Sequence, residues 1–101
     1  MATTPTAFFR GAATTTTSTV LSTVPASTTH IVTNIVIANT AGSAGTFTLA
    51  LDSVAFATTV AIAANAVVTF DIKQVLATTK TITGGASATT INFHISGVAV
   101  S

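Results

Sequence analysis

Three stretches of this chain alternate apolar and polar residues with a period of two. Phe47, Leu49 and Leu51 share one parity, with Thr46, Thr48, Ala50 and Asp52 on the other. Val68, Phe70 and Ile72 alternate with Thr69, Asp71 and Lys73, and Ile91, Phe93 and Ile95 with Asn92, His94 and Ser96. A strand turns successive side chains to opposite faces, so this pattern gives half-buried strands. No segment of helical length has a 3.6-residue period. The expectation is an all-β chain.

The remaining segments extend that reading. Thr19 to Val24 is β-branched and stops at Pro25, which has no N–H for a ladder. Thr28 to Asn39 is the longest strand candidate. Its parity sets Ile31, Thr33, Ile35 and Ile37 on one face and Val32, Asn34, Val36 and Ala38 on the other. Both faces are fairly apolar, so this strand is expected to be central or covered on both sides. Residues 39–45 form a loop with two glycines, and Asp52-Ser53 a turn. Val54–Phe56 and Val60–Ile62 read as one broken strand or two short ones. Residues 63–66 reverse the chain, and Lys73–Ala77 reads as a single helical turn. Lys80–Thr83 is a short strand closed by Gly84-Gly85, and Gly97 marks a bulge, since Val98 and Val100 leave the parity of Ile95. About eight short strands, punctuated every 8–12 residues, predict a single antiparallel β-sandwich or jelly-roll-like barrel over 16–101. Residues 1–15, with Pro5 and a low-complexity Ala/Thr run, read as an extended N-terminal arm.

Charge narrows the function. Only Arg10, Asp52, Asp71, Lys73 and Lys80 are charged among 101 residues, while threonine supplies 24 and alanine 19. A typical soluble domain carries roughly a quarter charged residues. A formal net charge of +1 offers no electrostatic footprint for nucleic acid or an anionic membrane. The six phenylalanines lie among apolar neighbours, away from basic residues, so no base-stacking platform is expected. Mean hydropathy is +0.78. Yet the best apolar run, Val60 to Ala64, ends at Asn65, far short of the ~20 residues of a spanning helix. The first residues show no basic-then-apolar signal pattern. A transmembrane barrel needs at least about eight strands and aromatic girdles, and this chain has no Trp or Tyr.

Candidate chemistry is sparse, and no enzyme is expected. His30, His94, Asp52 and Asp71 show no short metal-ligand spacing, and the histidines read as sheet-surface or interface residues. No serine sits in a G-x-S-x-G turn. Asp52 and Asp71, the only possible carboxylate pair, fall on solvent-side strand positions without a pocket to raise a pKa. Gly84-Gly85 reads as a turn, because no lysine or helix start follows to make a phosphate loop. Thr15-Thr17-Thr19 and Thr46-Thr48 have ice-lattice-like spacing but no repeat to stack them, so they read as exposed strand threonines. No cofactor or metal is expected.

The stretch from Val24 to Thr40, with Val24-Pro25-Ala26-Ser27-Thr28-Thr29 leading into Val32-Thr33-Asn34-Ile35 and ending at Asn39-Thr40, resembles small virion proteins of tailed bacteriophages. These often carry TVPAGTT-x-x-V-T-x-I-x-x-x-N-T. Ala61–Asn65 and Phe93–Val98 are similar in order and spacing, and the likeness spans about residues 20–101. Ser27 stands where the family's turn usually has glycine. The resemblance implies a β-sandwich virion component of head or tail.

The expected function is therefore a capsid decoration, or cement, protein: a homotrimer on the capsid surface that bridges major-capsid subunits after synthesis in the host cytoplasm. The alternative is a tail-associated or fibre-type protein with a receptor- or glycan-binding face. Phe8, Phe9, Arg10, His30, Asn34 and His94 are the expected interface residues, with Phe8 and Phe9 either folding back or inserting into a neighbour. Uncharged Thr/Ala surfaces suit a permanent contact, since no buried charge must be desolvated there. The arm would add a strand to a neighbouring subunit's sheet edge.

Overall fold

A computed structural model describes residues 2–101. Nine strands run through them: β1 (Thr3–Ala12), β2 (Val20–Thr23), β3 (Thr29–Asn39), β4 (Gly45–Leu51), β5 (Val54–Ile62), β6 (Val67–Phe70), β7 (Gln74–Leu76), β8 (Thr81–Ala86) and β9 (Ile91–Val100). They form two separate antiparallel sheets packed as a sandwich. One has the order β1-β9-β3-β6, with β7 continuing beside β6 along the same strand β3; the other has the order β2-β8-β4-β5. The all-β class, the sandwich and the antiparallel pairing match the expectation, with nine strands in place of about eight.

The alternating segments turn inward as their parity requires, two of them into the core and the third, with Val68, Phe70 and Ile72, packed half-buried against it. Phe47 and Leu49 on β4 and Ile91, Phe93 and Ile95 on β9 are buried, facing one another across the two sheets. Phe47 meets Phe93 edge-on, ring centres 6.5 Å apart, and Phe70 of β6 at 6.1 Å. Aromatic pairs favour this geometry because a ring's positive edge meets the other's negative face. Ile35, Ile37 and Ile82 complete the layer, each burial worth about 1.5–3 kcal/mol.

Several local expectations need correction. Along β3, Val32 is buried and Ile31 is not. The register shifts between Val32 and Asn34, so Thr33 is an extra residue and parity inverts there. His30 and Val32 therefore share the inner face with Ile35 and Ile37, and Ile31 turns outward. Gly97 is not itself bulged. The extra residues lie on either side of β9, Thr33 on β3 and Phe8 on β1. A Cβ at Gly97 would sit 1.9 Å from the Ile31 carbonyl oxygen and 2.9 Å from the Phe8 ring, so glycine is needed for close approach.

Gly84-Gly85 is likewise no turn: both lie within β8 and are buried. A Cβ on Gly85 would come within 2.3 Å of the Thr16 carbonyl oxygen. The loop of residues 14–19 lies against this strand, with Gly84 N–H donating to Thr19 O and Ala86 N–H to Thr14 O. The expected helical turn at 73–77 is instead β7, paired with β3 through His30–Leu76, Ile31–Val75 and Val32–Gln74. β5 is one strand, bulged at Phe56 and again where Thr58-Thr59 oppose Thr48.

No turn rests on a left-handed glycine. Ser27, Asp52, Ser53, Thr59, Asn65 and Thr79 have positive φ, whereas no glycine does. Asp52 and Ser53, at φ 53° and 61°, make the two-residue β4–β5 hairpin, whose type I′ geometry matches strand twist. Ser27, at φ 58°, holds the left-handed position that the resembled family gives to glycine.

Residues 1–15, expected as an arm, lie mostly in β1, which is paired in register with β9 from Thr3–Val100 to Ala12–Asn92. Ala2 and Ser101 exchange both backbone hydrogen bonds, at 2.8 and 2.9 Å. Antiparallel ladders alternate bonded and non-bonded pairs, so the backbone groups of Thr3, Pro5 and Ala7 point to the free edge. The missing N–H of Pro5 thus faces the place where a further strand would pair. In place of the strand-adding arm expected from the sequence, this segment is a guarded edge of its own sheet.

Candidate interface surfaces

The other edges are guarded as well. β2 is four residues long, β5 carries two bulges, and the β6–β7 edge is broken at Asp71-Ile72-Lys73. Apart from the single exposed Val20 on β2, large apolar side chains are exposed in two places among the described residues.

The first is the outer face of the five-stranded sheet. Pairing register aligns Pro5, Val98, Ile31 and Val75 in one row across the strands. Arg10, His94, Val36 and Thr69 form a second row, and Ala12, Asn92, Ala38 and Val67 a third. Asn34 and Ser96 pair between the first and second rows. Ile31, Val36, Val98 and Val100 take no part in the hydrophobic core or its margin. Val67 and Val75 are 63 % and 68 % exposed. Arg10 is the only charged side chain in these rows.

The second is a cleft of 280 Å³ where the β5 edge of one sheet meets the β6–β7 edge of the other, lined by Leu51, Val54, Phe56, Ile72 and Gln74. Val54 is 68 % and Phe56 41 % exposed. Phe56 packs edge-on against Phe70, ring centres 5.7 Å apart, which fixes one wall.

Of the six expected interface residues, three converge. Arg10 pairs with His94, His94 with Val36, and Asn34 with Ser96, all on the outer face. The other three turn inward. Phe9 pairs with Ile95 and packs against the core. Phe8 stacks on His30, ring centres 4.3 Å apart and planes 13° off parallel. His30 was expected at a sheet surface or interface; it is buried instead, because the Thr33 bulge turns it inward. Its Nδ1 has no hydrogen-bond partner, and burial pushes its pKa below the ordinary value. Phe8 and Phe9 thus fold back onto their own domain.

Charge is spent on short surface contacts. Lys73 lies 3.5 Å from Asp71 and Lys80 3.6 Å from Asp52, both pairs exposed and so worth little. His30 and His94 lie on opposite faces of β3 and β9. Among the described residues no cluster of three His, Asp or Glu side chains is placed to hold a metal ion, and no helix is long and apolar enough to cross a membrane.

Asn39, expected only as the end of a strand and part of the virion-like stretch, has a further role. It is buried at the end of β3; its Nδ2 donates to Ser43 O and Ala63 O, and its Oδ1 accepts from Ala41 N–H. This side chain ties the 40–44 loop to the 63–66 turn. A buried polar residue ending an apolar strand is the signal that points to it.

Compared with protein-family models, curated proteins and solved structures, the chain matches none of them.

Proposed function

We propose that this chain is a structural assembly subunit, specifically a virion protein of the capsid-decoration type that bridges major-capsid subunits and stabilises the shell. The carrying observation is the pairing of two separate charge-poor surfaces with exposed apolar side chains on one small body, the outer sheet face and the β5–β7 cleft. A bridging protein needs two contacts. These two lack fixed charge, apart from Arg10 at a margin, so covering them desolvates almost no ions. Guarded sheet edges keep association on these surfaces and away from open-ended strand addition. The virion-like stretch from Val24 to Thr40 supports the same reading, since it supplies β3, the strand at the middle of the outer face.

The test is the copy number of this protein in purified particles, measured by quantitative mass spectrometry against the major capsid protein. Hundreds of copies in a simple ratio to the shell subunit are expected. A few copies would move the protein to the tail or a vertex, and absence from particles would end the virion reading.

A further inference from the structure

We infer that the outer face of the five-stranded sheet is covered by a second copy of this chain, in a two-fold, face-to-face dimer. The inference rests on reading the chain as an assembly subunit, and it names the occupant of one of its two surfaces.

Size is the first argument. Three strands of ten or eleven residues and a fourth position holding the short β6 and β7, at about 4.8 Å spacing and about 3.4 Å per residue, give a face of roughly 600 Å² in projection. Side-chain relief adds to this, approaching the roughly 800 Å² per partner of a stable interface.

Self-complementarity is the second. A two-fold contact sets a surface against itself, so any charge near its centre would meet its own copy. The centre here is the Asn34–Ser96 pair. Amide and hydroxyl groups both donate and accept, so each can satisfy its own symmetry mate. Arg10 lies on edge strand β1. With the two-fold axis running along the strands, β1 of one copy faces the β6–β7 edge of the other, so the two Arg10 side chains fall on opposite margins. Chemical matching points the same way: a partner of opposite charge has only Arg10, on the edge strand, to read on this face, while a second copy matches it in polarity.

The dimer also bears on bridging. It leaves both β5–β7 clefts free on a two-fold body, so one dimer presents two identical contacts to two neighbours. Such a contact is even-numbered, in place of the trimer expected from the sequence.

The test uses Ser96, beside the proposed axis, in sedimentation and light-scattering measurements on the whole chain. The wild type is expected to be a dimer. Ser96→Lys and Ser96→Glu should each weaken association by more than roughly a hundredfold, because like charges would meet across the axis. An equimolar mixture should restore a dimer containing one of each. Unchanged far-UV circular dichroism keeps misfolding apart from dissociation. Should either variant misfold, Val75→Lys, at a widely exposed position on the same face, takes its place and should weaken the dimer likewise. A wild-type monomer, a trimer, or a dimer indifferent to these charges would overturn the inference. A dimer absent from particles upholds the dimer and removes the virion reading; a monomer abundant on particles does the reverse.

Discussion

His30 is the one titratable side chain held inside the sandwich, beneath the ring of Phe8 and across from Leu76 and Ala99. No charged group is paired in register with it, so protonation places an uncompensated charge in an apolar site. Because burial lowers its folded pKa, its contribution to stability is complete above the ordinary value of about 6.5 and is lost as pH falls from there toward the depressed value. The melting temperature should therefore drop on acidification through that window. His30→Phe should flatten the drop; an unaltered pH profile in this variant would refute the assignment. Backbone strain offers a second handle. Thr59 is β-branched yet has φ 50°, and its N–H donates to Thr48 Oγ1 at 3.0 Å. A left-handed conformation costs such a residue about 1–2 kcal/mol, and glycine gives back about 0.5–1 in unfolded-chain entropy. Thr59→Gly should raise the melting temperature by a few degrees in calorimetry. Gly85→Ala should do the opposite and severely, since the obstacle, Thr16 O, is backbone that cannot swing aside.

At the scale of elements, β1 decides how the molecule tolerates truncation. Taken as an arm, residues 2–15 would be dispensable to the fold. As a strand they cover one edge of β9 and bring Phe8, Phe9 and Ala13 to the core. Their deletion should expose a long unguarded ladder on β9 and give aggregated protein by size-exclusion chromatography; a soluble, cooperative sandwich after deletion would contradict this. The same strand shows what a sequence can display. Regular alternation was legible because each residue reports its own face, so β4, β6 and the first half of β9 could be drawn directly. Bulges were not legible. Thr33 and Phe8 look like ordinary strand residues, and only the partner's register reveals that each is one too many. The glycines misled for a related reason: Gly84, Gly85 and Gly97 answer to backbone far away in sequence, which no local pattern contains. For the site, Arg10, Asn34 and His94 could be singled out as polar residues on strands. That they share one face, while Phe8, Phe9 and His30 share the other, required the β1–β9–β3 register.

The whole molecule is an elongated body of 45 × 21 × 18 Å with its charges at the margins. Associations made through its two apolar surfaces should respond little to ionic strength, because no ion pair is broken and few counterions are released. Sedimentation from low to high salt should leave the dimer population unchanged or slightly raised. A steep loss with added salt would mean that Arg10 or the paired lysines carry the contact.

The strand order has a consequence for synthesis. β9, the last strand, lies between β1 and β3, and pairs residues as far apart as Thr3 and Val100. On the ribosome β1 has no partner, and β3 has only β6 and β7, until residues 91–100 emerge. The five-stranded sheet is therefore completed in one long-range step, after the β4–β5 hairpin of the other sheet has had time to form. Folding dominated by such distant contacts is slow, and a nascent chain halted before Ile91 leaves β1 without a partner and one edge of β3 open, a state exposed to aggregation.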